Sequence, residues 1–182
     1  INGLSIISHV YNKALETNIG DAYVATSDQE IHENVIQNGG KSILTSKEHP
    51  TGTDRIFEAY KKLNISNIDY ILNLQGDEPL IEPNDIKNLI NKVTSFGFDM
   101  GTLAANIESD YKLNDENIVK VKTEDELNDN KLSRAIDFFR KVKNIKIKYI
   151  YHHIGIYLYK VNILEKIVSL KQTTNEKKLK LE

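Results

Sequence analysis

The chain contains no cysteine and no tryptophan, and only one methionine, Met100, and three prolines among its 182 residues. Without cysteine there is no disulfide framework and no thiolate metal site, a usage that fits a reducing compartment. Neither sign of charge prevails: 24 basic and 26 acidic residues leave a formal net charge of −2. Nothing therefore favours a nucleic acid or a membrane surface as a bulk electrostatic partner. No apolar run approaches the roughly 18 residues of a membrane span, and the start lacks the basic, apolar and small-residue order of a secretory leader. The chain opens on Ile1 and closes on "NEKKLKLE", with helical spacing at Leu179 and Leu181 but no stop signal. It reads as an internal segment of a longer protein, of a length that holds one domain around one core.

What is present alternates. Leu4, Ile7, Val10, Tyr11, Ala14 and Leu15 form one helical stripe, "DAYVAT" (21–26) reads as a strand, and Asp28 caps a helix with Ile31, Val35 and Ile36 inward, ended by Gly39-Gly40. "KSILT" (41–45) is a second strand, Ile56, Phe57, Tyr60 and Leu63 mark a helix, and "DYILNL" (69–74) is a third strand. Pro83 sits at the first turn of a helix with Ile86, Leu89, Ile90 and Val93 inward. This rhythm predicts an α/β fold with a mainly parallel central sheet and helices on both faces. Beyond residue 98 the strand-like runs "MGTLAANI", "IVKVKT" and "YHHIGIYLYK" have fewer helices between them, which predicts a small accessory antiparallel sheet, with turn chemistry at Asn128-Asp129-Asn130.

Ligands of a parallel open sheet bind beyond the carboxyl ends of its strands. The segments that follow the three strands are "TSD" (26–28), "SKEHPTGTDR" (46–55) and "QGDEP" (75–79), polar clusters expected on one rim. In "TGTDR", Gly52 permits close backbone approach, Thr51 and Thr53 carry hydroxyls, a new helix presents unpaired N–H groups and Arg55 adds a donor fork. The set suits a base or a phosphate; an ordinary Thr N-cap beside a surface Arg is the alternative. In "QGDEP", Asp77 beside Gly76 offers an oxygen to a hard cation such as Mg2+, and Gln75 offers an amide to a ligand; a solvated turn is the alternative. Strand alternation puts Tyr151, His153, Gly155, Tyr157 and Tyr159 on one face of "YHHIGIYLYK", a polar aromatic wall or else a solvated tyrosine face, with His152, Ile154, Ile156 and Leu158 on a core face. Ser133-Arg134 follow a strand-like element, and Arg134 is able to pair with a carboxylate. His32 reads as solvated, and His49 as shaping the rim loop.

Taken in order, "VATSDQEI", "GGKSILTSKEHPTGTDRI", "ILNLQGDEPLI", "NIVKVKT", "LSRAI" and "HHIGIYLYK" resemble the 3-deoxy-manno-octulosonate (Kdo) cytidylyltransferase family, the CMP-Kdo synthetases, over essentially the whole chain. The resemblance implies a Rossmann-like nucleotidyltransferase, 1–182 forming one truncated domain with an accessory, dimerising region near 108–150. It implies activation of Kdo with CTP for lipopolysaccharide assembly by a cytoplasmic homodimer. By the same resemblance Asp77 binds Mg2+ and is catalytic together with Gln75. Thr51, Gly52, Thr53, Arg55 and Gly76 hold the nucleotide, and Arg134, His153 and Tyr157 face the sugar. The family's N-terminal phosphate loop would precede Ile1 and its C-terminal sugar motif and second metal aspartate would follow Glu182, so the 182-residue chain alone is expected to be inactive. Its "SRAPIPW"-like segment stands here as "SRAIDFF". Two rivals stay open: a cytidylyltransferase for another acidic sugar (sialic acid or amino-Kdo), and a non-catalytic nucleotide-binding module.

Overall fold

A computed structural model describes residues 3–128, 131–142 and 148–179. The first crossover shows how local chemistry sets the architecture. Strand β1 (Val24–Thr26) ends where the Thr26 hydroxyl accepts from the Asp28 N–H at 3.1 Å, and the Asp28 carboxylate accepts from the N–H groups of Glu30 and Ile31 to start helix α2 (Gln29–Gln37). Gly39, at φ +79°, takes the left-handed turn that glycine adopts without strain and leads into β2 (Ser42–Leu44). This β-α-β unit pairs β1 and β2 in parallel, Val24 with Ser42 through Thr26 with Leu44. Ahead of it runs α1 (Ile6–Glu16), and after it come α3 (Gly52–Leu63), β3 (Tyr70–Asn73) and α4 (Pro83–Phe96). Pro83 occupies the first turn of α4 as its sequence position predicts, and Gly97 ends the helix in the left-handed region.

The remaining elements are β4 (Met100–Ala105), the short α5 (Asp110–Asn114), β5 (Lys120–Thr123), β6 (Ala135–Phe139), β7 (Ile150–Lys160), α6 (Val161–Ser169) and α7 (Thr174–Leu179). Contacts group the chain into two units. One holds the chain up to Gly101 together with Ile156–Gln172, and the other holds Thr102–Gly155 and the last helix. The span 108–150 lies within the second. Asp129 and Asn130 of the expected turn lie outside the described residues, as does Leu181; Asn128 and Lys131 form an isolated bridge.

The expectation of a mainly parallel sheet needs correction. Among the described pairings whose direction is defined, only β1–β2 is parallel; β3–β7, β5–β6 and β5–β7 are antiparallel. The cause lies in the connections. Parallel neighbours need a crossover of about a dozen residues or more, which α2 supplies between β1 and β2. The partner of β3 is instead β7, which arrives from the far end of the sequence, and the described residues between β5 and β6 form no helix.

In the first unit, Tyr157, Tyr159 and Leu164 form a buried cluster with Ile56 and Phe57 of α3, Ile71 of β3, and Ile167 and Val168. The expected inward face of α4 is present, with Ile86 fully buried and Leu89 and Val93 nearly so. By contrast, Leu15 of α1 and Ile31 and Ile36 of α2, also expected inward, are exposed. Gly101 lets β4 lie tight on α4: a Cβ there would stand 2.3 Å from Val93 Cγ2 and 3.2 Å from Leu89 Cδ1. Valine in a helix keeps one preferred χ1, so its methyl cannot swing aside. Gly101→Ala is therefore expected to destabilise the protein by about 1–3 kcal/mol in thermal unfolding, the usual cost of overpacking; an unchanged Tm would show that β4 does not press on α4.

Candidate functional site

The rim loop after β2 is built from one face of α3. Thr51 is the N-cap: its hydroxyl accepts from the Asp54 N–H at 3.2 Å and donates to the Asp54 carboxylate at 2.6 Å. The ordinary capping role of this threonine is thus realised, and Gly52 begins the helix whose first N–H groups define the motif. Thr53 is buried, with its hydroxyl 3.4 Å from that of Tyr159. Arg55 turns back onto the loop and donates through Nη1 to the Thr45 hydroxyl at 2.7 Å and the Ser46 carbonyl at 3.0 Å.

Glu58, one turn further on, is the hub. Its carboxylate accepts from the Ser46 N–H (3.0 and 3.2 Å), contacts His49 Nε2, and meets Lys62 Nζ at 2.7 Å. Lys62 also donates to the Leu44 carbonyl at 2.7 Å. The Lys62 ammonium, the Ser46 N–H and His49, in that order of weight, pull the Glu58 carboxyl down to about 2. Arg55, Glu58 and Lys62 stand at i, i+3 and i+7, one helical stripe, and together they tie residues 44–49 to α3. In sequence this stripe looks like a solvated charged face, and Glu58 gave no sign of its role.

The loop after β3 is more open. Gln75 is half-buried, and Gly76 and Asp77 are exposed. Gly76 passes close to α1, where an added Cβ would meet Ile7 Cδ1 at 3.0 Å. Burial, and then the neighbouring Asp77 charge, raises the Glu78 carboxyl above its ordinary value. Among the described residues no group of three or more His, Cys, Asp or Glu side chains is arranged to hold a metal. One exposed carboxylate nonetheless fits Mg2+, which takes few protein oxygens and completes its shell with water and substrate phosphates. At the end of β3, Asn73 is buried, and among the described residues its amide Nδ2 has no hydrogen-bond partner. Sequence reading passed over it, because it sits inside an apolar run.

The tyrosine face of β7 is neither solvated nor an open wall in the first unit. Tyr157 and Tyr159 are buried and stacked, with ring centroids 5.7 Å apart, while Ile156 and Leu158 on the other face are buried as well. In the second unit His153 is 9% exposed, packs edge-on against Phe138 at 4.9 Å, and lies 3.0 Å from the Thr102 hydroxyl. That hydroxyl donates to the Ile154 carbonyl at 3.1 Å. The Thr102 hydroxyl thus ties the His153 ring to the β7 main chain, as donor or acceptor according to the tautomer of the ring. Burial, followed by the neighbouring His152, drives the His153 pKa down to about 4, so the ring is neutral at pH 7. Arg134 is exposed just before β6, and its carbonyl accepts from the Glu124 N–H at 2.9 Å. Lys120, also unforeseen, is fully buried on β5, with its ammonium held by the main-chain carbonyls of Asp115 and Arg140.

The structure thus joins Thr53 to Tyr159, Arg55 to Thr45 and Ser46, and Tyr157 to Tyr159 in one unit, and seats His153 and Arg134 in the other. The profile of the family described as Cytidylyltransferase matches residues 1–182. The chain belongs to that family.

Its relatives give the membership finer grain. A 3-deoxy-manno-octulosonate cytidylyltransferase of Rhodopseudomonas palustris is 39% identical over 183 residues, covering 100% of this chain and 74% of the relative. An 8-amino-3,8-dideoxy-manno-octulosonate cytidylyltransferase of Shewanella pealeana is also 39% identical, over 186 residues, covering 100% of this chain and 75% of the relative. Among solved structures, a CMP:2-keto-3-deoxy-manno-octonic acid synthetase complexed with CTP matches at a TM-score of 0.82 and 31% identity, over 97% of this chain and 71% of that one. For this cytidylyltransferase the Glu58 hub makes a checkable statement. Glu58→Gln keeps the shape and removes the charge that gathers Lys62, His49 and the Ser46 N–H. The Ser46 amide should then lose protection in hydrogen exchange while β3 amides keep theirs. Unchanged protection at Ser46 would show that the loop is ordered by other contacts.

Proposed function

We propose that this cytidylyltransferase activates 3-deoxy-manno-octulosonate with CTP, giving CMP-Kdo and pyrophosphate. The observation that carries the reading is the CTP-complexed synthetase, similar over nearly the whole chain in both fold and sequence. In the reaction the anomeric hydroxyl oxygen of the sugar bonds to the α-phosphorus of CTP and gives up its proton to solvent, the bond from that phosphorus to the bridging oxygen breaks, and pyrophosphate leaves. Phosphoryl-type transfer asks the protein chiefly for position and charge stabilisation, so no nucleophilic side chain is needed.

On this reading the N-terminus of α3, with Thr51, Gly52 and Thr53, cradles the nucleotide, and Arg55 acts by holding the Thr45–Ser46 turn in place as well as by its positive charge. Gln75 and Gly76 border the same ligand. Asp77 would hold Mg2+, which when bound neutralises the charge on the phosphates. By the family resemblance Arg134, His153 and Tyr157 serve the sugar, Tyr157 from within its buried stack on Tyr159; a neutral His153 suits a sugar hydroxyl better than a carboxylate. The protein acts as a cytoplasmic homodimer in lipopolysaccharide assembly, and exposed Leu132 and Ile136 beside and on β6 supply apolar surface for the contact. Among the described residues no helix is long and apolar enough to cross a membrane.

Sugar choice is the open point on which relatives divide, since one of them is named for an amino sugar acid. In competition for CTP and Mg2+, the protein as encoded should release pyrophosphate with Kdo in preference to 8-amino-Kdo or sialic acid. Preference for either competitor would move the reading to that sugar, and binding of CTP without turnover on any of them would favour a nucleotide-binding module.

A further inference from the structure

From the buried amide of Asn73 at the carboxyl end of β3, unpartnered among the described residues, we infer that this side chain donates a hydrogen bond to an acceptor oxygen of a bound substrate, and so is a further binding residue of the transfer reaction. The inference rests on the cytidylyltransferase reading above. Asn73 is 5% exposed, and among the described residues its Nδ2 meets no acceptor. Buried amides are nearly always paired, because one left unpaired carries the full desolvation cost of the group.

The surroundings make the choice of residue stand out. In the β3–β7 ladder Asn73 lies opposite Tyr157, and Ile71 lies opposite Tyr159; cross-strand partners share a face. That face belongs to the apolar and aromatic cluster formed with Ile56, Phe57, Leu164, Ile167 and Val168. An aliphatic side chain would satisfy position 73 as a packing element, yet an amide stands there. Its place is also suggestive: two residues further along the chain is Gln75, and the exposed Gly76-Asp77 turn follows directly. A donor at this strand end points to a ligand that brings an oxygen. Both substrates of the reaction carry such oxygens: the nucleotide on its base and phosphates, the sugar on its carboxylate and hydroxyls.

The test compares the protein as encoded with Asn73→Leu and Asn73→Asp. Each is followed by Tm without ligand, by calorimetric titration with CTP alone, and by steady-state kcat and KM for CTP and Kdo. The expected result is an Asn73→Leu protein whose ligand-free Tm is equal to or above that of the parent while kcat/KM falls at least 10-fold. Asn73→Asp, of the same shape but with an acceptor in place of the donor, should lose at least as much, and it carries the test if the leucine variant does not fold. Weaker binding of CTP alone assigns the acceptor to the nucleotide; intact CTP binding with a raised KM for Kdo assigns it to the sugar. A lowered ligand-free Tm with kcat/KM intact would mean an amide bridged by water and serving the fold, and would overturn the inference, as would two variants indistinguishable from the parent. Absence of turnover in the parent itself would count against the proposed function instead.

Discussion

Asp77→Asn is expected to lower Mg2+-dependent pyrophosphate release at least 100-fold, about 2.7 kcal/mol of transition-state stabilisation at 1.36 kcal/mol per decade. The reason is charge. Asparagine preserves the shape of an exposed side chain, so the fold should not notice the change, but a neutral amide oxygen is a poor ligand for a hard divalent cation beside an aspartate oxygen. The loss should be partly recovered at high Mg2+, because the phosphates and water that complete the shell are still available. Glu78 provides the control. Its carboxyl is half-buried and raised by burial and by Asp77, so Glu78→Gln removes a like charge from beside Asp77 and should cost far less. Equal losses in the two variants, or an Asp77→Asn enzyme with an unchanged Mg2+ requirement, would remove Asp77 from the metal.

The second large effect concerns stability and pH. His153 titrates at about 4 in the folded protein, against an ordinary 6.5 that the unfolded chain should retain. Between those values the unfolded chain binds more protons than the folded one, so stability rises with pH across this window. The contribution is complete above pH 6.5 and is lost as pH falls towards 4. At 1.36 kcal/mol per unit the shift corresponds to on the order of 3 kcal/mol. His152, lowered first by burial and then by Lys112 and Lys120, adds to the loss with the same sign. Glu58, held down to about 2, weakens the fold only below its ordinary 4.5 and so acts in a lower window. In denaturant titrations from pH 7 to pH 4, His153→Gln should show a clearly shallower fall than the parent, because glutamine can still hydrogen-bond to the Thr102 hydroxyl but cannot titrate. Parallel curves would place the acid sensitivity elsewhere.

Much of the first unit was readable in the sequence because local chemistry decides it. Asp28 caps α2 with its own side chain, Pro83 begins α4, and Ile86, Leu89 and Val93 keep a helical period facing inward. What failed depends on partners far along the chain. Nothing near "DYILNL" tells that its neighbour is β7, so the parallel expectation for β3 followed the rhythm of the β-α-β unit and was wrong. Period-two reasoning about β7 assumed one wet face, yet Ile156 through Tyr159 are buried on both sides. Motif resemblance picked out Thr51–Arg55 and Gln75–Asp77, but it was blind to the scaffolding. Glu58 looks like one more charge on a helix, and Asn73 like an interruption in an apolar strand; only the hydrogen-bond record separates them from their neighbours.

A crystal structure of the protein as encoded, soaked with CTP and Mn2+ in place of Mg2+, bears most directly on the nucleotide site. One CTP touched both by the α3 N-terminus at Thr51–Arg55 and by the Gln75–Asp77 loop, with the anomalous Mn2+ peak within coordination distance of Asp77, is the predicted outcome. A nucleotide held by only one of these loops, or a metal on other side chains, would contradict it.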